Sequence, residues 1–205
     1  MDSLTGTKEL IFDTFVEMTS ALGYENVHIR DIAAQIGINS ASIYYHYENK
    51  AKILEFAYDY YKLHEYDNRR PVEVMQARLM EESGDTLVPD LFFTFESEDL
   101  QKYTRMVLIT KIIFMRLYQD EAANAIYYND NVSNTEYLLE ILQYGIDAGR
   151  LDPGFDILTF SEVLIGAMQI MGTWAFARPA YIVGQLDQEK KILALLGRLY
   201  NTALL

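Results

Sequence analysis

The sequence predicts an all-α protein, with a small N-terminal helix-turn-helix domain followed by a larger helical domain. Apolar residues recur at spacings of three and four along the whole chain, and nowhere at two. Near the N-terminus two short periodic segments flank Gly37, and near the C-terminus two long apolar segments are separated by turn-forming residues. There is no internal repeat and no low-complexity stretch. The division is expected at residues 1–66 and 67–205.

In chain order, Thr7 to Leu22 places Ile11, Phe15, Met18 and Leu22 on one face and Lys8, Glu9, Asp13 and Glu17 on the other, an amphipathic helix ended by Gly23-Tyr24. Ile29, Ile32, Ala33 and Ile36 form the next apolar face, and Gly37, free to take positive φ, ends that helix. Ile38 is the apolar residue of the turn, and Asn39 is a good cap for a second short helix starting at Ser40. Glu48-Asn49 caps a longer helix, Lys50 to about Glu65, whose stripe of Ile53, Leu54, Ala57, Tyr58 and Tyr61 can pack across the first helix.

After a charged break at Asp67 to Pro71, the proline is placed to open a helix over Val72 to Met80. A break is expected at Gly84-Asp85, then an aromatic-rich segment from Leu87 to Phe95, then a strong helix from about Asp99 through Leu117. Residues 121–149 read as one helix or a bent pair, with Asn129 to Asn134 the weak point. Gly149 to Gly154 is a loop. Two last helices, about Phe155 to Ala177 and about Asp187 to Leu204, are separated by Arg178-Pro179 and Gly184. The first of these is apolar nearly all round. Roughly 20 such residues suffice to cross a bilayer. Glu162, Gln169 and the small residues Gly166, Ala167 and Gly172 favour burial against a second subunit over a membrane span.

In the second helix of the motif, Ile43 and Tyr47 lie four apart and can face inward, leaving Ser40, Ala41, Ser42, Tyr45 and His46 outward. Three of these five are small, so the helix could approach base edges in a DNA major groove closely. The run Gly37-Ile-Asn-Ser-Ala-Ser-Ile-Tyr-Tyr-His-Tyr-Glu-Asn-Lys50, with an amphipathic helix before it and an Ile-Leu helix after it, resembles the TetR family of bacterial transcriptional regulators. Gly23, Tyr24, Arg30, Ile32, Ala33, Gly37, Tyr44, His46, Tyr47 and Lys50 match in order and without gaps, over the first quarter to third of the chain. The resemblance implies phosphate contacts by Tyr44 and Lys50, and base or backbone contacts by Arg30, Ser40, Ala41, Ser42, Tyr45 and His46, with Asn39 beside them. The chain departs from the family's pattern at His28, where Ser or Thr is usual, and at Val27, where Thr is common. His28 is kept as a candidate phosphate contact. The recognition helix has no Lys or Arg, so operator contacts should rest on shape and short hydrogen bonds.

The net charge of −13 is awkward for a DNA binder, because phosphate neutralisation is the main source of affinity. In residues 1–66 five basic side chains face ten acidic ones, a net of −5, although Arg30, Lys50 and Lys52 cluster at the motif. Weak non-specific binding and marked salt sensitivity are expected. The absence of cysteine excludes disulfides and thiolate sites, and the first residues carry no signal-peptide pattern, so a cytoplasmic protein is expected. His28, His46 and His64 form no metal-ligand pattern. No nucleophile, phosphate-loop or dinucleotide motif is present, so no catalytic residue, metal or cofactor is expected.

Phe92, Phe95, Tyr103, Met106, Phe114, Tyr118, Tyr144, Met168, Met171 and Trp174 make the larger domain rich in rings and thioethers. Such stripes are ordinarily core. The family resemblance implies that some enclose a small-molecule effector, mostly apolar or aromatic, and that the last two long helices form a four-helix bundle in a homodimer. The expected function is therefore a ligand-responsive DNA-binding regulator, a repressor released from a double-stranded operator by its effector. The alternative is a helix-turn-helix protein repurposed for protein interaction.

Overall fold

The computed structural model describes residues 4–65, 69–91, 100–177 and 182–205; at residues 100, 171–177 and 182–189 the backbone alone is described. The described helices are α1 (Gly6–Leu22), α2 (Ile29–Gln35), α3 (Ser40–His46), α4 (Lys50–His64), α5 (Val72–Glu81), α6 (Gly84–Asp90), α7 (Leu100–Arg116), α8 (Glu121–Asp147), α9 (Ile157–Ala177) and α10 (Ile182–Asn201), with one 3₁₀ turn at Tyr24–Asn26. Among the described residues there is no strand, only an isolated bridge between Leu151 and Leu204. The chain forms two compact units, Met1–Asp67 with Ser97–Tyr127, and Asn68–Glu96 with Tyr128–Leu205.

In the first unit α1 is covered by α2, α3 and α4 and also by α7. Its buried set is accordingly broader than the expected stripe. Ile11, Phe12, Phe15 and Val16 are buried, whereas Leu22 is 54% exposed. The Phe12 ring meets Phe56 of α4 edge-on at 5.1 Å, and Ile53, Leu54, Ala57, Tyr58 and Tyr61 complete the α4 side. Each buried Ile, Leu or Phe among them contributes about 1.5–3 kcal/mol by leaving water. An ion cluster fastens α7 to α1: Arg105, 11% exposed, donates from Nε to Asp13 at 2.6 Å and from Nη2 to Asp13 at 2.9 Å and to Glu9. At the other end of α7, Arg116 donates from Nε to Asp120 at 3.0 Å. Asp120 also accepts the Tyr58 hydroxyl at 3.1 Å and the Ala122 N–H at 3.0 Å.

In the second unit α6 crosses α10 backbone to backbone. A Cβ on Gly84 would collide with the Gly197 carbonyl, and one on Gly197 would lie 2.7 Å from the Gly84 oxygen. The otherwise unpaired N–H of Gly84 is taken by the Asn201 side-chain oxygen at 2.6 Å, a helix start capped from a distant segment. Gly84 therefore opens α6, and the break lies at Glu82-Ser83, not at Gly84-Asp85. Met75, Leu79, Leu87, Leu138, Ile141, Leu142, Phe160, Leu164 and Tyr200 are buried around this crossing.

The one-helix alternative for residues 121–149 holds, and the expected start of the last helix is corrected. α8 runs unbroken through Asn129 to Asn134. Its weak helix formers are satisfied by distant partners instead of competing for their own backbone: Arg69 donates to Ser133 at 3.1 Å and to Asn134 at 2.6 Å, and Gln169 pairs with Asn131. α10 begins at Ile182, so Gly184 lies inside it; one interior glycine costs only about 1 kcal/mol against a 20-residue helix. The described part of the aromatic-rich segment is helical only to Asp90, and Phe92 and Phe95 lie outside the described residues. Among the described residues no helix is long and apolar enough to cross a membrane.

Gly84→Ala should lower folding stability by about 1–3 kcal/mol, read as a drop in the urea midpoint, because neither backbone at the crossing can give way. A second expectation concerns acid. Burial pushes the Asp120 carboxyl up, but Arg116, the Ala123 N–H and the Tyr58 hydroxyl outweigh it and hold it below its ordinary 3.8. Its contribution to stability is thus complete above the unfolded value and is lost as pH falls through the lower folded value. Urea titrations from about pH 6 to about pH 3 should show a shallower loss of stability in Asp120→Asn than in the parent.

Candidate nucleic-acid interface

The motif is built from local caps over a small apolar anchor. His28 precedes α2, and its N–H is accepted by the Asp31 carboxylate at 3.2 Å. Ile32 and Ala33 bury one side of α2. The chain reverses at Gly37, φ +72°, a left-handed conformation that suits a residue without Cβ, and the Ile38 N–H closes on Ala33 O at 3.0 Å. Asn39 then caps α3, its side-chain oxygen accepting the Ser42 N–H at 2.9 Å and the Ser42 hydroxyl at 3.1 Å. Ile43 is fully buried and Tyr47 5% exposed, with the Tyr47 hydroxyl donating to Lys8 O at 3.3 Å.

That anchoring turns the remaining residues outward. None of His28, Arg30, Asn39, Ser40, Ala41, Ser42, Tyr44, Tyr45, His46 or Lys50 is buried; Tyr44 is 53% and Tyr45 87% exposed. The Tyr45 and His46 rings meet edge-on at 5.1 Å. Five of the ten, His28, Arg30, Ser40, Tyr44 and Lys50, line one open cleft of about 450 Å³ together with Ile29. Ile29 was not among the expected contacts, since an apolar residue gives no sequence signal for a place in a polar cleft. Because the Ser42 hydroxyl already donates to Asn39, it faces outward chiefly as an acceptor, suited to a base amino group.

The charges here are not equivalent. Arg30 Nε lies 3.5 Å from Asp31 but is 80% exposed, so water weakens that pair. Lys52 is paired with Glu55 at 2.5 Å, and Lys62 with Asp59 at 2.7 Å. Lys50 instead donates to two carbonyls, Tyr24 O and Val27 O, both at 2.9 Å, and sits 4.0 Å from the centre of the Tyr24 ring. Burial pushes the Tyr24 phenol up, with Arg116 pulling the other way. On the α1 side Arg105 meets Glu9 and Asp13, and Arg116 lies 3.4 Å from Glu25, so three acids of the first unit have cationic partners from α7.

Residues 11–56 match the family model for bacterial regulatory proteins of the tetR family. Over those residues the chain carries a domain similar to the DNA-binding domain of that family. The biofilm operon icaADBC HTH-type negative transcriptional regulator IcaR of Staphylococcus epidermidis is 39% identical over 46 residues, 22% of this chain and 25% of that protein. The chain thus matches a quarter of that relative's length. A TetR-family regulator from Marinobacter aquaeolei superposes with a TM-score of 0.61 at 20% identity, covering 98% of this chain and 92% of that one. The ketosteroid transcriptional regulator KstR2 of Mycobacterium tuberculosis gives 0.60 at 17% identity, covering 95% of each chain. At these identities the likeness is one of fold.

The described residues considered for an effector are divided between the two units. Tyr103, Met106 and Phe114 stand on α7 in the first unit, where Met106 packs on the motif's core and Phe114 meets Tyr127 at 5.4 Å. Tyr118, 94% exposed, follows α7. Tyr144 and Met168 belong to the second unit, Tyr144 41% exposed and Met168 partly buried. The side chains of Phe92, Phe95, Met171 and Trp174 lie outside the described residues.

Asn39→Ala removes the cap of a seven-residue helix and should cost about 1 kcal/mol. Hydrogen exchange at the amides of α3 should accelerate by more than at α1, whose own core contacts are untouched.

Proposed function

We propose that the chain is a homodimeric, ligand-responsive DNA-binding transcriptional regulator, a repressor that releases its operator when a small molecule binds, acting in the cytoplasm. Residues 1–66 carry operator binding, with contacts from His28, Arg30, Asn39, Ser40, Ala41, Ser42, Tyr44, Tyr45, His46 and Lys50, and residues 67–205 carry dimerisation and the effector site. The observation that carries this reading is the α3 surface: an outer face of small and hydroxyl-bearing side chains beside a cleft with Lys50, Arg30 and Tyr44 on its walls. Small side chains allow close approach to base edges, while the flanking cations and hydroxyl reach phosphates. The negative regulation named for the Staphylococcus relative supports repression. Half-exposed apolar residues on α9 and α10, among them Leu158, Val163, Leu195 and Leu199, support a second copy as the cover for that face. Effector and operator affinities would then oppose each other by one reciprocal coupling energy.

The acidity of residues 1–66 favours a second reading, a motif turned to protein binding. A footprint on the DNA flanking its own gene, at low and at physiological salt, separates the two. The regulator should protect two half-sites about 34–36 Å apart. Lys50→Ala and Tyr44→Phe should weaken binding alike on every sequence, and Ser42→Ala should change sequence preference by about 1–3 kcal/mol at one position. A dimer that protects no duplex at low salt would instead favour the protein-binding reading.

A further inference from the structure

We propose that Tyr24 is a positioning residue, holding the Lys50 ammonium in place for a DNA phosphate, and that Arg116 of α7 is the second anchor of its ring. The inference rests on the DNA-binding reading above. Its starting point is the kind of partner Lys50 has. Lysine is a flexible point charge that loses rotamer freedom on gripping an anion. Here that freedom is already restricted: two N–H groups are given to Tyr24 O and Val27 O at 2.9 Å, and the ammonium stands 4.0 Å from the Tyr24 ring centre. Both carbonyls and the ring are neutral, so they fix the cation without cancelling it. Lys52 and Lys62 instead face carboxylates, those of Glu55 and Asp59.

The third Lys50 N–H is left for a ligand, and the residue lines the same cleft as Tyr44, Ser40 and Arg30. The ring itself is held from two further directions. Phe15 meets it edge-on at 6.4 Å, and the Arg116 guanidinium carbon stands 4.3 Å from its centre. Arg116 is 14% exposed and has its own charge met by Asp120 at 3.0 Å and Glu25 at 3.4 Å. One ring therefore joins a neutralised cation on α7 to an uncancelled cation at the cleft, and the readiness of the phosphate grip depends on where Arg116 stands.

Two measurements test this. In the free protein the ring current of Tyr24 should shift the Lys50 ε-CH₂ protons upfield, and Tyr24→Leu should abolish the shift while Tyr24→Phe keeps it. Anisotropy titrations over a salt series, on the footprinted duplex and on a random one of equal length, supply the second. Lys50→Ala should reduce the log–log salt slope by about 0.9, one phosphate contact. Tyr24→Leu should reduce it in the same direction and weaken binding to both duplexes by about five-fold, the worth of a modest cation–π contact. Tyr24→Leu combined with Lys50→Ala should be no weaker than Lys50→Ala alone, and Arg116→Gln should give a smaller loss of the same kind. A merely structural Tyr24 would leave the slope unchanged and add to Lys50→Ala, and either result overturns the proposal, as does a wild-type protein without the ring-current shift. If the shift is present but neither duplex is bound at low salt, it is the DNA-binding reading that fails, and Lys50 loses its assigned ligand with it.

Discussion

The seven residues of α3 form a helix because Ile43 and Tyr47 are sunk into a core that other helices complete. A segment this short does not hold itself together in water, since the nucleation cost of a helix exceeds what one or two turns return. Packing under α1 supplies the difference, and the Asn39 cap trims what is left. The arrangement has a direct consequence for the outer surface. Two inward anchors suffice, so the other positions are free to be small, hydroxylic or aromatic according to what they must touch.

The same core settles how an acidic protein can present a basic cleft. Residues 1–66 carry a net of −5, but charge is local at the distance of a phosphate contact, where salt screens beyond about 8–10 Å. Glu9 and Asp13 are engaged by Arg105, and Glu25 by Arg116, both from a helix that joins the motif from a later part of the chain. Lys50 stays uncancelled at the cleft. The overall acidity still matters at long range, where it repels any polyanion.

Much of the first unit was legible in the sequence because its signals are local. Asn39, Asn49, Gly23 and Gly37 act within a few residues of where they stand, and each does what its type dictates. The membership of α7 in that unit was not legible, since an arginine 92 residues from its aspartate leaves no trace in periodicity. The continuity of α8 was hidden for the same reason: asparagine and serine are poor helix formers until Arg69 and Gln169 occupy their side chains. Lys50 was recognised as a charge at a helix start, but its carbonyl and ring partners come from a turn more than twenty residues earlier. Of the candidate site, which side chains face outward was readable, and the partners that fix Lys50 were not.

The Gly84–Gly197 crossing sets an order of events during synthesis. Every part of the first unit has been made once the chain reaches residue 127, whereas α6 waits for the ribosome to deliver Gly197 and Asn201 before its first amide finds a partner and its backbone a neighbour. Domains form as units while translation proceeds. The first unit is thus able to assemble on a nascent chain before the α6–α10 crossing of the second can form.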